Sequence, residues 1–331
     1  MARELSAFLA GARHSLDVAM YDLKLGPPTL DILHEALAAA HDRGVAIRIA
    51  YNVDHGKRVP VPAPPTTPPA LVESLPGETR AIPGVPDLMH HKYVVRDGTV
   101  VWSGSTNWTD ESWTRQENVV VVLESALVAA AFTADFEQLW SSLDVSRSGK
   151  VAPEPVVVDG VEVRAWFCPG RGERLAHRIA HALGHAERRI RIASPVITSG
   201  PILGTLAELA SDGRLDLAGV VDVTQIREVL AQWHANGNAS WKMPALVRAL
   251  GDDRFTGKPS TKWSPTSVHD FMHAKVTVAD DTLFVGSFNL SHSGELNAEN
   301  VIEISDAGLA AEAAAFVDAV RVLYPPVRLT L

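Results

Sequence analysis

The sequence predicts an α/β protein built from two tandem copies of one domain. Three observations carry that expectation. A six-position motif occurs twice, in the same order, near the end of each half. Each half begins with alternating strand and helix patterns, and each half ends in one long amphipathic helix. At 331 residues the chain is long enough for two domains of about 150 residues each.

Taken in order, Ser15 to Tyr21 reads as a strand, and Leu30 to Arg43 as an amphipathic helix closed by Gly44. Val45 to Tyr51 follows as a second strand. In the other half Arg189 to Ala193 is a strand, Gly200 to Ser211 a helix and Leu217 to Val223 a strand. Strand–helix–strand order implies right-handed crossovers and a mainly parallel sheet covered by helices. The closing helices are Ser125 to Leu143 and Ala307 to Leu323. These elements divide the chain into a domain at 1–146, a linker at 147–158 rich in Pro and small residues, and a domain at 159–331. The Pro-rich run from Pro60 to Pro69 reads as an extended surface loop. Residues 224–268 read as an insertion without a first-half counterpart, carrying tryptophans among Lys and Arg.

Composition excludes several classes. Apolar residues at 46% and charged residues at 21% exclude a disordered chain. The formal charge of −9 argues against a wholly basic shell of the kind that grips duplex nucleic acid, while leaving room for a local basic groove. Cys168 is the one cysteine, so no internal disulfide forms, and it reads as buried filler. The start has no secretory apolar stretch, and the most apolar runs are broken by Glu124 and Glu312. The expectation is a soluble cytoplasmic protein with no membrane span.

The repeated motif carries the chemistry. Its first copy is His90, Lys92, Asp97, Gly104, Ser105 and Asn107, followed by Glu117-Asn118. Its second is His273, Lys275, Asp280, Gly286, Ser287 and Asn289, followed by Glu299-Asn300. The histidines are 183 residues apart and the glutamates 182, so one residue is lost between them. On a strand, His and Lys two apart share a face, and a lysine beside a histidine is unfavourable unless an anion sits there. Two such pairs, each followed by a Gly-Ser-x-Asn turn, describe a site for a phosphate. One imidazole can attack phosphorus while the other protonates the departing alkoxide and then activates water or an alcohol. Lys92, Lys275, Asn107 and Asn289 would hold the non-bridging oxygens, without need of a metal. Glu117 and Glu299 are the candidates to accept the Nδ1 proton of a histidine.

The pattern His-x-Lys-x4-Asp followed by Gly-Ser-x-Asn resembles the phospholipase D superfamily, the HKD phosphodiesterases. That resemblance implies two α/β/α sandwich domains related by a pseudo-two-fold axis, one active site at their interface, a covalent phosphohistidine and no cofactor. By analogy His90 is the nucleophile and His273 the general acid, and Asp97 and Asp280, with Ser105 and Ser287, support the motif. The Gly-Ser turns look most like the bacterial nuclease branch, so the expected substrate is DNA or RNA. A phospholipase or phosphatidyl transferase is the second reading, and a non-catalytic anion-binding scaffold the third.

Trp108, Trp241, Trp263, Lys258 and Lys262 are candidates for a substrate groove in which bases stack and phosphates pair. Core packing is the competing reading for the tryptophans. His91 should point away from His90. The His177, His181, His185 series reads as a solvated helix face rather than a metal site. The chain is expected to act as a monomer with an internal pseudo-dimer or as a homo-oligomer.

Overall fold

A computed structural model describes residues 1–53, 67–84, 87–237, 241–264 and 266–329. The first half contains strands β1 (Ser15–Met20), β2 (Leu23–Lys24), β3 (Ala46–Val53), β4 (Glu78–Pro83), β5 (Lys92–Arg96), β6 (Val100–Gly104), β7 (Trp108–Thr109) and β8 (Val120–Glu124). Its helices are α1 (Ala2–Ala10), α2 (Pro27–Asp42), α3 (Pro69–Glu73), α4 (Asp110–Thr114) and α5 (Ala126–Ser142). The second half has β9 (Val156–Val158), β10 (Val161–Phe167), β11 (Arg189–Ala193), β12 (Asp216–Asp222), β13 (Phe255–Lys258), β14 (Val276–Ala279), β15 (Thr282–Gly286) and β16 (Asn300–Ser305). Its helices are α6 (Gly172–Gly184), α7 (Gly200–Asp212), α8 (Val223–Asn236), α9 (Lys242–Leu250), α10 (His292–Leu296) and α11 (Ala307–Arg321).

Among the described residues the strands form two main sheets, ordered β4-β3-β1-β5-β6-β8 and β13-β12-β11-β14-β15-β16-β10-β9. Both are mixed, which corrects the expectation of a mainly parallel sheet. β1, β3 and β4 run parallel, as do β11, β12 and β13. From the motif strand onward every pairing is antiparallel. The reason is the connection. β5 reaches β6 through Asp97 (φ 53°) and Gly98 (φ 62°), and β14 reaches β15 through Asp280 (φ 52°). A tight turn can join only antiparallel neighbours, whereas a parallel pair needs a crossover.

The 224–268 segment also differs from expectation. It supplies β13, which pairs with β12 as β4 pairs with β3, so it is in part a counterpart of the first half. The Pro60 to Pro69 run lies mostly outside the described residues, and Pro69 opens α3.

The motif aspartates pin the start of each sheet. Asp97 accepts backbone N–H groups of Arg13, His14 and Ser15, and Asp280 those of Glu187, Arg188 and Arg189. The three donors hold each carboxylate ionised below its usual range despite partial burial. Both lie at the strand end remote from the histidines.

One core joins the halves. Tyr93, Val101, Phe132 and Phe136 of the first half pack in one buried cluster with Phe167, Val276, Val285 and Ile302 of the second, around α5 and α11. Ser125 caps α5 by accepting from Val128 N, and Asp306 caps α11 by accepting from Leu309 N. Phe132 is fully buried and edge-on to both Tyr93 and Phe167. Its truncation to Ala would cost about 3–5 kcal/mol and loosen the contact between halves. Two flanking cores lie on the outer faces. No described helix is long and apolar enough to cross a membrane.

Candidate active site

Each motif sits just before its strand, at the seam between the halves. Met89 bridges to Ala298 and Met272 to Glu117. His90 N donates to Ala298 O (2.9 Å) and His273 N to Glu117 O (3.1 Å). Each half thereby clamps the histidine of the other. Alternation about these bridges turns His91 into the core, where it is fully buried, while His90 faces the cleft.

The Gly-Ser turns are fixed by steric necessity. A Cβ at Gly104 would come 2.1 Å from Val119 O, and one at Gly286 2.1 Å from Asn300 O. Ser105 N and Ser287 N donate to those same carbonyls, and Ser105 Oγ and Ser287 Oγ accept from Val119 N and Asn300 N. Asn107 and Asn289 each carry a buried side-chain oxygen without a protein partner. A buried amide left open at a cleft is a group waiting for a ligand.

These bonds equate Val119 with Asn300, and therefore Asn118 with Glu299. The apparent alignment of Glu117 with Glu299 is one residue out of register, because a second residue is lost around the short helices α4 and α10. The histidine partners differ accordingly. His90 Nδ1 lies 2.8 Å from Glu299 Oε1, whereas His273 Nδ1 lies 3.0 Å from Asn118 Oδ1. Glu117 is not a histidine partner. Its carboxylate accepts from Lys258 Nζ (2.8 Å) and from the Tyr324 hydroxyl, which is pushed up in consequence of burial and that bond.

Lys92 Nζ donates to His90 O and Lys275 Nζ to His273 O, each at 2.6 Å. Lys92 also lies over the Tyr21 ring at 4.7 Å, and that ring is 4.5 Å from His90. Burial and the neighbouring lysines hold both histidines well below their ordinary range. Burial lowers Lys92 to about 7 and lowers Lys275 in the same sense. Burial likewise pushes Glu299 up to about 8, against the pull of Lys92. Burial thus drives His90, His273, Lys92, Lys275 and Glu299 all towards their neutral forms, a clustering of perturbed groups that marks a candidate functional site.

The expected groove is only partly assembled. Trp108 is 1% exposed and packs in the outer core of the first half, because β7 is pinned to β2. Lys258 is buried and committed to Glu117. Lys262 is exposed with Glu228 at 3.3 Å, and Trp241 is exposed at the start of α9. Of the three candidate groove tryptophans, Trp263 leads towards the site. It is 6.3 Å from His269, which stacks at 5.4 Å on Phe271, two residues before His273.

Several site residues carry no signal in the sequence. Asn118 follows Glu117, and only the backbone register set by Ser105 and Ser287 distinguishes the two. Asp22 is 4% exposed, with one oxygen unpartnered; burial pushes it up to about 6, while His269 and Lys92 pull it down. No motif marks it. Cys168 is fully buried, and burial raises its thiol well above the ordinary range.

Two copies of a mixed α/β domain, each delivering His, Lys and Asn to a common seam, define a duplicated phosphodiesterase fold. The family described as cardiolipin synthase, PLD-like domain, matches residues 5–140 and 179–320, and the chain belongs to this branch of the phospholipase D superfamily. The chain is similar to mitochondrial cardiolipin hydrolase of Xenopus laevis, at 29% identity over 136 residues, 41% of this chain and 59% of that protein. It is 27% identical to mitochondrial cardiolipin hydrolase of Homo sapiens over 179 residues, 50% of this chain and 64% of that one. The chain thus spans about 60% of the length of these relatives. A crystal structure of phosphatidylserine synthase from Haemophilus influenzae superposes with a TM-score of 0.64 at 12% identity, covering 97% of this chain and 83% of that one. At that identity the likeness is one of fold.

Proposed function

We propose that the protein is a metal-independent phosphodiesterase that works through a phosphohistidine on His90 and acts on a phospholipid. The observation that carries the chemistry is the convergence of two His-Lys pairs with opposed Nδ1 partners at one buried seam. Lys92, Lys275, Asn107 and Asn289 grip the non-bridging oxygens, and the bound anion restores the charge that burial has removed from the lysines. His90 Nε2 attacks phosphorus; the P–N bond forms as the P–O bond to the leaving group breaks. With the bound anion offsetting the neighbouring lysines, His273 enters the step as imidazolium and gives its Nε2 proton to the departing oxygen. Water or an alcohol then yields a proton to His273 and attacks phosphorus, breaking the P–N bond and freeing His90. Glu299 at Nδ1 compensates the positive charge that grows on the His90 ring during attack, as the orienting carboxylate of a triad does. Asn118, a neutral acceptor, leaves the proton of His273 easier to give up.

The lipid reading is supported by what lines the cleft. Of the cations expected to grip a polyanion, Lys258 is neutralised and Lys262 is offset by Glu228, and Asp22 places a carboxyl near Lys92. The relatives named above are cardiolipin hydrolases. A nuclease is the second reading, favoured by the Trp263–His269–Phe271 stack, on which a base can lie. Incubation in EDTA with vesicles of cardiolipin, phosphatidylglycerol or phosphatidylcholine, and separately with single-stranded DNA and RNA, distinguishes the two. Head-group release from vesicles with intact nucleic acid is the expected result. Cleavage of nucleic acid alone replaces the lipid reading with the second, and a strict need for added divalent metal overturns the mechanism.

A further inference from the structure

The two halves are copies, yet the seam is polar on one side and apolar on the other. Behind His90, four buried side chains form a continuous chain. Asp135 on α5 accepts from Gly149 N (2.9 Å) and lies 3.0 Å from His91 Nε2. His91 Nδ1 is 3.3 Å from Asn300 Oδ1, and Asn300 Nδ2 donates to Ser103 Oγ (2.6 Å). Asn300 is the next residue after Glu299, whose carboxylate meets His90. All four side chains are at most 1% exposed.

The equivalent positions behind His273 are apolar. Gly-Ser turn bonds and helix caps place Ala274 opposite His91, Phe316 opposite Asp135, Val119 opposite Asn300 and Val285 opposite Ser103. Three of these four, with Asn118 beside them, line an apolar cavity of about 320 Å³. The fold is therefore built once with the polar chain and once without it. A buried His–carboxylate pair is a poor stabilising device, since desolvation offsets the attraction. Its presence on one side alone calls for a role specific to that side.

We propose that Asp135, His91 and Asn300 form a positioning relay that holds Glu299 against His90 and so makes His90, rather than His273, the nucleophile. None of the three is a catalytic residue; they act through Glu299. The inference rests on the phosphohistidine mechanism above. Asp135 orients the His91 ring, the ring donates from Nδ1 to the Asn300 amide oxygen, and the fixed Asn300 backbone at the start of β16 sets the direction in which the preceding Glu299 projects. On the other side Asn118 is held locally, by Ser105 Oγ, Ser112 and Gln116, and among the described residues no buried carboxylate–imidazole pair stands behind it.

The test is a rapid-quench measurement of p-nitrophenolate release from a p-nitrophenyl phosphodiester, with mapping of the phosphorylated peptide. His91→Leu preserves apolar volume but removes both ring contacts, whereas His91→Gln keeps an amide that can donate to Asn300. The relay requires that the burst rate fall about 100-fold in His91→Leu, the cost of an ångström-scale misplacement, and largely return in His91→Gln. A purely packing role requires the two variants to behave alike, and equal rates overturn the proposal. Asp135→Asn, nearly isosteric, reads the same relay should His91→Leu fail to fold; an unchanged burst there also overturns it. Label on His273 in the unmodified protein overturns the nucleophile assignment itself. Label on His90 with a normal burst in His91→Leu overturns the relay alone.

Discussion

His90 Nδ1 and Glu299 Oε1 lie 2.8 Å apart although they belong to different halves of the chain, and the pair has no mirror image. Its counterpart is a histidine facing an amide, His273 with Asn118. The duplication thus supplies two similar imidazoles, and the Asn118/Glu299 difference between the halves gives them different Nδ1 partners.

Removing that carboxylate should separate the two steps of turnover. Glu299→Gln is expected to lower kcat by about 10²–10⁴-fold, in line with loss of an orienting carboxylate elsewhere. His90→Asn and His273→Asn should each abolish turnover while leaving the thermal transition in place. Near-full rate in either histidine variant, measured on any diester the protein cleaves, contradicts the assignment.

Glu117 and Asn118 are neighbours with opposite expected behaviour. Glu117→Ala leaves Lys258 buried without its partner and should cost about 3–5 kcal/mol of stability, read as a fall in Tm. Per folded molecule its chemistry should persist. Asn118→Ala removes the His273 contact and should reduce kcat with a smaller change in Tm. The reverse pattern would restore Glu117 as the histidine partner.

The site should take up protons when it binds an oxyanion. Lys92 is lowered by burial to about 7 from its ordinary 10.5, so above pH 7 the empty site is losing the ammonium an anion needs. Sulfate affinity should therefore fall as pH rises beyond 7, by about tenfold per unit for one linked proton. The sign for stability is opposite: burial of charged Lys92 destabilises the empty fold fully below pH 7, and the penalty fades from there towards 10.5. Titration calorimetry in buffers of different ionisation enthalpy measures the uptake. Affinity that is flat from pH 7 to 9 would remove Lys92 from the anion site.

The motif aspartates should matter for the fold and not for the reaction. Asp97→Asn and Asp280→Asn each weaken bonds to three backbone N–H groups and should cost about 1.5–3 kcal/mol, seen in denaturant unfolding. Normalised for folded protein, kcat/KM should stay within a few-fold of the parent. A selective loss of kcat without loss of stability would place these residues in the chemistry after all.

Much of this was legible beforehand. The repeat of His, Lys, Gly-Ser and Asn gave the duplication, because chemistry demands identical residues at fixed offsets. Strand and helix periodicity located β1, α2, β3, β11, α7 and β12 within a few residues. What could not be read was register. A deletion of one residue is invisible between Gln116-Glu117-Asn118 and Ala298-Glu299-Asn300 until backbone bonds to Ser105 and Ser287 align them. The groove failed for a related reason: whether Trp108 or Lys258 faces solvent depends on which strand lies beside it.

By itself the sequence determined that two copies of a histidine–lysine motif exist and that their residue types suit an oxyanion. Local spacing sets which side chains can share a face, and that is enough to name the chemistry. Only the tertiary structure decided which imidazole receives a carboxylate, which receives an amide, and which is backed by Asp135 and His91. Those pairings cross from one half to the other. They are fixed by how two sheets meet, a relationship no window along the chain contains.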